Sequence, residues 1–310
     1  MVEFAVSIQN IRELSLAHKP WEPFEQQNQI EAEMQTIFFQ EWQGLMSEQL
    51  KVDRVYFGSE FCQYRLLPLP LVKRALKFCW ENELEFTYVS SYVHDEKFEQ
   101  LIEIANYLQQ AATSNSRGIE FVVNDWGVYH YVKNNCPNLH IVIGRLLNKN
   151  IRDPRVAKYY NDDRAPENGR NFFQESGLLS SSFRSFLDEG RVVGLEFDEL
   201  IQGQRLADDS EYTTIFHYPY GCVASGSACM VGFMNEEKKN KYRGNPTCQQ
   251  QCQSYLFELK NRAITDLDQR MIQKGNTAFF IHDQELVRNG LRNVKDMNHA
   301  RVVYALRIPV

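Results

Sequence analysis

Nine short apolar, β-branched runs alternate along the chain with segments whose apolar residues recur at helical spacing. Near-continuous apolar strands separated by helices indicate a parallel sheet that is covered by helices. The predicted strands are 2–8, 54–59, 85–93, 119–125, 139–145, 192–198, 212–218, 277–283 and 300–306. The predicted helices between them are 71–82, 96–112, 127–135, 180–189 and 282–291.

Eight or nine such strands in 310 residues favour closure into a TIM-like (β/α)8-type barrel over an open doubly wound sheet. The sequence has no GxGxxG or P-loop motif that would favour a nucleotide-binding sheet. We therefore expect an α/β fold with one barrel domain over residues 1–310. Segment 22–50 predicts a long amphipathic helix on the barrel, and the polar, weakly periodic segment 146–180 predicts an insertion or lid.

Charge and hydropathy exclude several classes of protein. A net charge of −6 argues against a broad phosphate-binding face, although a local basic groove is compatible with it. The first residues, MVEFAVSIQNIREL, lack the basic and apolar regions of a signal peptide, and no apolar run approaches the roughly 18 residues of a membrane span. We expect a cytoplasmic protein with no membrane span, in which seven cysteines are metal ligands or buried thiols.

Five cysteines are predicted to follow barrel strands, at the end where the active sites of parallel barrels form. Cys62 follows the strand at 54–59, and four more occupy a Cys-rich strand-to-helix loop, 221–252, before a predicted helix at 254–271. The five candidate ligands are Cys62, Cys222, Cys229, Cys248 and Cys252. The two remaining cysteines, predicted to be buried thiols, are Cys79 and Cys136.

The spacing of the four late cysteines favours an iron–sulfur cluster. Six residues separate Cys222 from Cys229, eighteen separate Cys229 from Cys248, and three separate Cys248 from Cys252. Zinc ribbons usually place about two to four residues within each pair, whereas iron–sulfur clusters accept wider spacing. The small residues around the first pair would let the backbone wrap a cluster and donate N–H groups to it. A structural zinc site and a chance accumulation of cysteines remain as alternatives.

Two segments carry the late cysteines: GCVASGSACMVGFMN (221–235) has a Cys-x6-Cys pair, and GNPTCQQQCQSY (244–255) has a Cys-x3-Cys pair with a following aromatic residue. This pattern resembles that of peptidase family U thirty-two, the collagenase-like family. The segment VYFGSEFCQYR (55–65) resembles the early-cysteine segment of the members that act in ubiquinone biosynthesis. EFVVNDWGVYHYV (120–132) and HIVIGRLLNK (140–149) resemble further signatures, so the resemblance covers most of the chain from about residue 50 onward.

The resemblance implies an incomplete or distorted TIM-like barrel with a [4Fe–4S] cluster, with Zn2+ as the alternative metal. It implies a role in oxygen-independent hydroxylation, of a ubiquinone precursor or an RNA base, together with a paralogous protein in a heterodimer. Likeness to the ubiquinone-biosynthesis members implies Cys62 as a ligand beside Cys229, Cys248 and Cys252. A local alternative uses Cys222 in place of Cys62.

Asp125, Arg145 and Glu196 are candidate catalytic residues, because each is predicted near the carboxyl end of a barrel strand. Asp125 or Glu196 could act as a general base, and Arg145 could bind a carboxylate of the substrate. The alternatives are that Asp125 caps the helix that begins at Trp126, and that Arg145 pairs with Glu196 or Asp125 in a polar layer. His217 is predicted to be a hydrogen-bonded interior histidine.

The sequence contains neither a His-Glu-x-x-His helix nor a Gly-x-Ser-x-Gly elbow, so its residues do not support a protease. The expected function is that of an iron–sulfur protein in oxygen-independent hydroxylation. The alternatives are a non-catalytic accessory subunit with a structural metal site and a peptidase-like hydrolase. Whether the substrate is a small molecule or RNA stays open at this point.

Overall fold

The computed structural model describes residues 2–46, 50–115, 117–160, 165–206, 211–237, 248–260 and 269–310. The barrel strands are β1 (Glu3–Ile8), β2 (Arg54–Gly58), β3 (Glu85–Val89), β4 (Ile119–Val123), β5 (Leu139–Ile143), β6 (Val192–Asp198), β7 (Thr213–Tyr218) and β12 (Ala300–Ala305). All pair in parallel and close in the order β1-β12-β7-β6-β5-β4-β3-β2. The predicted TIM-like barrel is therefore confirmed.

The described helices are α1 (Gln29–Leu45), α2 (Leu69–Glu81), α3 (Asp95–Ser114), α4 (Trp126–Asn135), α5 (Pro154–Tyr160), α6 (Glu167–Gln174), α7 (Ser181–Asp188) and α8 (Gln284–Lys295). The helix predicted over 22–50 is shorter than expected because a capping box starts it: the Asn28 side chain accepts the Glu31 N–H, and the Glu31 carboxylate accepts the Asn28 N–H. None of the helices in the described ranges is both long and apolar enough to cross a membrane.

The segment 146–180, predicted as an insertion or lid, lies between β5 and β6 and contains α5, α6 and a short 3-10 turn. Side-chain hydrogen bonds fix the described part of this segment in place. Ser176 Oγ donates to Asn148 Oδ1 at 2.8 Å, and Gln174 Nε2 donates to the Gln202 carbonyl at 2.7 Å. Residues 161–164 of this segment lie outside the described part of the chain.

A second, antiparallel sheet emerges between β7 and β12. Its strands are β8 (Tyr220–Ser225), β9 (Phe257–Leu259), β10 (Met271–Lys274) and β11 (Thr277–Ile281), in the order β8-β11-β10-β9. The strand predicted at 277–283 therefore exists, but it belongs to this sheet and not to the barrel.

The predicted helix at 254–271 is wrong where the structure describes it. Residues Phe257–Leu259 form β9, because Phe257 and Leu259 alternate with Glu258 and the strand pairs with β10. Residues 261–268 lie outside the described ranges. The segment 221–252 is consequently not a simple strand-to-helix loop, since it starts as β8 and Cys222 lies within that strand.

The barrel interior holds a charged layer at the amino ends of its strands. We call it the floor network, formed by Glu3, Arg54, Glu120 and Arg301. The Arg301 guanidinium donates to Glu120 Oε2 and to Glu3 Oε2, both at 2.6 Å, and Arg54 Nε donates to Glu3 Oε1 at 2.6 Å. Apolar side chains such as Val122, Ile215 and Val303 fill the layer above it. This packed interior leaves the carboxyl end of the barrel as the place for a site.

Candidate metal centre

The first cysteine of the site is positioned by the end of β2. Gly58 has a φ of +151°, and a Cβ there would lie 2.0 Å from the Val89 carbonyl oxygen, so only glycine fits. The chain then turns through Ser59, whose hydroxyl donates to the Val310 carbonyl at 2.7 Å. Cys62 follows as a buried residue at the carboxyl end of the barrel.

The second cysteine lies in the turns that follow β8. The Gly232 N–H donates to Cys229 Sγ at 3.1 Å, and the Phe233 N–H donates to the Cys229 carbonyl at 3.1 Å. Cys229 is half-buried. Residues 238–247, which separate this turn from Cys248, lie outside the described part of the chain.

The last two cysteines flank Gln250, which has a left-handed backbone with a φ of +56°. In this conformation its N–H donates to Cys248 Sγ at 3.4 Å. Its side chain reaches the Cys62 segment, where Nε2 donates to the Tyr64 carbonyl at 2.8 Å and Oε1 accepts from Arg65 Nη1 at 3.0 Å. Gln250 therefore joins the Cys248–Cys252 turn to the end of β2. Sequence reasoning missed this residue.

The tip of the β10–β11 hairpin joins the segment after β2 to the segment after β8. Between β10 and β11, the buried Asn276 donates from Nδ2 to the Phe61 carbonyl at 2.7 Å and to the Gly226 carbonyl at 2.8 Å. The preceding Gly275 packs against Cys252, since a Cβ there would lie 3.4 Å from the Cys252 Cβ. Sequence reasoning also missed Asn276, although a Gly-Asn pair between two apolar runs is a hairpin signal.

These contacts bring four cysteines into one neighbourhood. Cys62 and Cys252 are buried in a small cluster with two valines, and Cys229 packs against it. Burial, together with negative charge on Cys252, Cys229 and Cys248, raises the pKa of Cys62 to about 12. We call Cys62, Cys229, Cys248 and Cys252 the thiol cluster.

The chemistry of the thiol cluster suits a thiophilic metal. Backbone N–H groups donate to two of its sulfurs, from Gly232 to Cys229 and from Gln250 to Cys248. Such bonds favour the thiolate, the form that binds metals. Within the described ranges, however, no three Cys, His, Asp or Glu side chains stand in the arrangement of a formed metal site. The donors are gathered, and coordination would require the sulfurs to close around the metal.

Cys222 lies apart from the thiol cluster. Its N–H donates to Asp198 Oδ1 at 3.0 Å, and its side chain is buried in an apolar group that includes Phe61 and Phe279. Burial raises the pKa of Cys222 to about 12, and the charges that act on it are those of arginines and carboxylates at the barrel mouth. Of the two ligand sets that the sequence left open, the described residues gather the one that contains Cys62.

Arg145 spans the mouth of the barrel and is almost fully buried. Its guanidinium donates to both carboxylate oxygens of Glu60, at 2.6 and 2.9 Å, and to Asp198 Oδ1 at 2.6 Å. Arg152 donates to the second oxygen of Asp198 at 2.9 Å. We call Glu60, Arg145, Arg152 and Asp198 the mouth network.

The prediction that Arg145 pairs with Glu196 or Asp125 is therefore wrong. Glu60 follows β2, which lies across the closed barrel from β5, and Asp198 is the last residue of β6, which pairs directly with β5. The guanidinium also donates to the Tyr220 carbonyl at 3.0 Å. A substrate carboxylate would have to displace one of these partners in order to bind Arg145.

The two candidate general bases occupy different settings. Asp125 Oδ1 accepts from the Gly127 and Val128 N–H groups at 2.7 and 3.1 Å, so it caps α4. Glu196 is fully buried inside the barrel, and its Oε2 lies 3.2 Å from His217 Nε2. Burial raises the pKa of Glu196 to about 8 and lowers that of His217 to about 3, so both are uncharged near neutral pH.

Cys79 and Cys136 are buried thiols, as predicted. Cys79 lies within α2, and Cys136 ends α4 next to the amino end of β5. Burial raises the pKa of Cys79 to about 12 and that of Cys136 to about 11. Neither belongs to the thiol cluster.

No family model matches the sequence, and no curated protein matches it. Among solved structures, the chain is similar to the crystal structure of the spore cortex-lytic enzyme SleL of Bacillus megaterium QM B1551. The two chains share 8% sequence identity, and the match covers 98% of this chain and 70% of SleL with a TM-score of 0.34. A score this low supports no inference about fold or activity.

Proposed function

We propose that this chain is an iron–sulfur protein whose thiol cluster holds a [4Fe–4S] cluster. The observation that carries the proposal is the gathering of Cys62, Cys229, Cys248 and Cys252 from three separate segments, with backbone N–H donors at two of the sulfurs. Four thiolates with N–H bonds to sulfur form the usual protein environment of this cofactor.

The surroundings of Cys252 also suit a group with net negative charge. Burial raises the pKa of Cys252, whereas the nearby positive charges of Arg65 and Lys274 act in the opposite direction and favour the thiolate. The same charges would offset the negative charge of a cluster with four thiolate ligands. When bound, such a cluster supplies one-electron transfer, and ligation by four cysteines favours this role over Lewis-acid chemistry.

The sequence resemblance extends the proposal to a reaction. We propose that electron transfer at this site serves an oxygen-independent hydroxylation in the cytoplasm. The substrate would be a ubiquinone precursor or an RNA base, and a paralogous protein would form the heterodimeric partner. Glu196 and His217 would then act as uncharged interior groups, and Arg145 would hold the barrel mouth in shape beside the cluster.

A second candidate function is that of a non-catalytic accessory subunit with a structural zinc. The burial of Cys62 and Cys252, which are 8% and 4% exposed, favours this candidate because structural zinc sites are closed to solvent. Both candidates use the same four thiols, so the identity of the metal separates them.

The test is to purify the protein without oxygen and to measure iron, acid-labile sulfide and zinc per chain, together with the visible spectrum. The proposal predicts about four irons and four sulfides with a brown absorbance. Stoichiometric zinc without sulfide would support the accessory subunit, and a chain without bound metal would refute both. Cys136→Ser is the matched control, because Cys136 is a buried thiol outside the thiol cluster and its loss should leave the metal content unchanged.

A further inference from the structure

A cavity of about 360 Å³ opens next to Cys252. It lies past the carboxyl ends of the neighbouring strands β1, β2 and β12, against the tip of the β10–β11 hairpin. Its volume falls in the range of roughly 300–1,000 Å³ that is typical of small-molecule sites. The cations that line it are Arg65, Lys274 and Arg307.

Arg307 is neutralised within the protein. Its guanidinium lies 2.9 Å from Glu13 Oε1 and 3.1 Å from Glu31 Oε2. It also donates to the carbonyls of Gln26 and Glu25 at 2.6 and 3.0 Å. With two carboxylates and two carbonyls as partners, Arg307 shapes the wall of the cavity without adding free positive charge.

Arg65 and Lys274 make no hydrogen bond to a carboxylate among the described residues, although Glu31, which also lines the cavity, acts on Lys274 through its charge. Arg65 Nη1 donates to the neutral amide of Gln250, and Arg65 Nε is buried without a hydrogen-bond partner among the described residues. The ammonium of Lys274 makes no hydrogen bond or ion pair to any residue in the described ranges, and the residue is only half-exposed. Two cations that make no hydrogen bond to a carboxylate among the described residues therefore line one cavity. A shielded donor without a partner costs free energy that an anionic ligand would recover.

We propose that this cavity binds the carboxylate or phosphate group of a small molecule through Arg65 and Lys274. A guanidinium can hold an oxyanion with two parallel hydrogen bonds, and an ammonium adds a point charge. Neutral polar residues around the two cations provide further hydrogen-bonding groups for the rest of such a molecule, namely Gln9, Asn10, Asn28, Gln253 and Ser254. The ligand would lie beside Cys252, and only its closeness to a redox centre rests on the proposed function.

The test is calorimetric titration of the whole protein, purified without oxygen, with inorganic phosphate and with malonate at constant ionic strength. The variants are Lys274→Met and Arg65→Met. Lys77→Met is the matched control, because it removes the same charge from an exposed lysine of α2 that pairs with Glu81 at 3.6 Å. The proposal predicts saturable binding of at least one probe, weakened about ten- to a hundredfold in either cavity variant and unchanged in Lys77→Met.

The preferred probe distinguishes a phosphate site from a carboxylate site. The proposal is overturned if neither probe saturates, or if both cavity variants bind as well as Lys77→Met does. Lys274→Met keeps the test valid if Arg65→Met perturbs folding through its bond to Gln250. Iron and sulfide are measured on the same samples. Anion binding by protein that holds no iron would refute the iron–sulfur proposal alone. Iron and sulfide without anion binding would refute this inference alone.

Discussion

The thiol cluster and the mouth network lie side by side and share segments of the chain, yet they differ in how their polar groups are satisfied. Glu60 and Cys62 are two residues apart, but Glu60 points to Arg145 across the barrel while Cys62 packs with Cys252. In the mouth network, charged side chains are matched with opposite charges. In the thiol cluster, the sulfurs of Cys229 and Cys248 receive backbone N–H bonds from their own turns, and within the described ranges no side chain donates to a cluster sulfur.

Under the proposed function, this difference separates a structural element, the mouth network, from a metal-binding site, the thiol cluster. Buried ion pairs are costly to break because the partner that is left behind loses its counter-charge. Damage to the mouth network should therefore appear as lost stability. Damage to the thiol cluster should appear as lost metal with a smaller effect on folding of the barrel.

The largest loss of stability is expected for Arg145→Met. This change leaves Glu60 and Asp198 buried without their main counter-charge, and we expect the free energy of unfolding to fall by about 3–5 kcal/mol. Denaturant unfolding of protein purified without oxygen measures the effect. Arg270→Met is the control, because Arg270 pairs with Glu33 and Glu258 at exposed positions and should cost less than about 1 kcal/mol. Equal losses in the two variants would mean that the mouth network is not a structural brace.

A smaller loss is expected for Asn276→Ala, which acts on the thiol cluster without removing a thiol. It leaves the Phe61 and Gly226 carbonyls without their donor, and we expect a loss of about 1–3 kcal/mol. The rate at which a chelator removes iron should also rise, because the hairpin tip no longer holds the cysteine segments together. Asn134→Ala, an exposed position on α4, should change neither quantity. An unchanged rate of iron release would show that Asn276 does not organise the site.

The smallest effect on stability is expected for Glu196→Gln, a change inside the barrel below the mouth network. The folded pKa of Glu196, about 8, lies above the ordinary value of about 4.3. Between these two pH values only the folded state holds the proton, so stability falls until the pH reaches about 8 and then levels off. We expect wild-type protein to lose about 1–2 kcal/mol between pH 7 and pH 9 from this group, and the glutamine variant to lack that loss.

Unfolding free energies at the two pH values measure this effect. His217 stays out of the comparison because its folded pKa of about 3 and its ordinary value of about 6.5 both lie below the window. Other titrating groups act equally in both proteins. Identical pH dependence in wild type and variant would show that Glu196 is not protonated inside the barrel at pH 7.

The alternation of strands and helices predicted the barrel, because the spacing of apolar residues within each element indicates its type and its buried face. The pairing partners of Arg145 were not predictable in the same way. Glu60 and Asp198 lie 85 and 53 residues from it in sequence. Pairing of β5 with β6 places Asp198 beside Arg145, and closure of the barrel places Glu60 across from it. The prediction that residues 277–283 form a barrel strand was wrong, because a short apolar run has the same sequence pattern in a parallel barrel and in an antiparallel sheet.

The cysteines illustrate the same limit. Their spacing identified five candidates but did not decide between Cys62 and Cys222. In the structure Cys62, and not Cys222, lies with Cys229 and Cys252. This placement depends on long-range contacts, above all the bond from Gln250 to the Tyr64 carbonyl and those of Asn276, which join segments far apart in the chain. The backbone N–H bond from Cys222 to Asp198 likewise holds that residue at the mouth network.

The most direct test of the account compares Cys62→Ser with Cys222→Ser, both purified without oxygen and assayed for iron, acid-labile sulfide and visible absorbance. The account predicts that Cys222→Ser keeps the iron, sulfide and spectrum of the wild-type protein, whereas Cys62→Ser loses the [4Fe–4S] cluster. A cluster that survives loss of Cys62 and disappears with loss of Cys222 would contradict it.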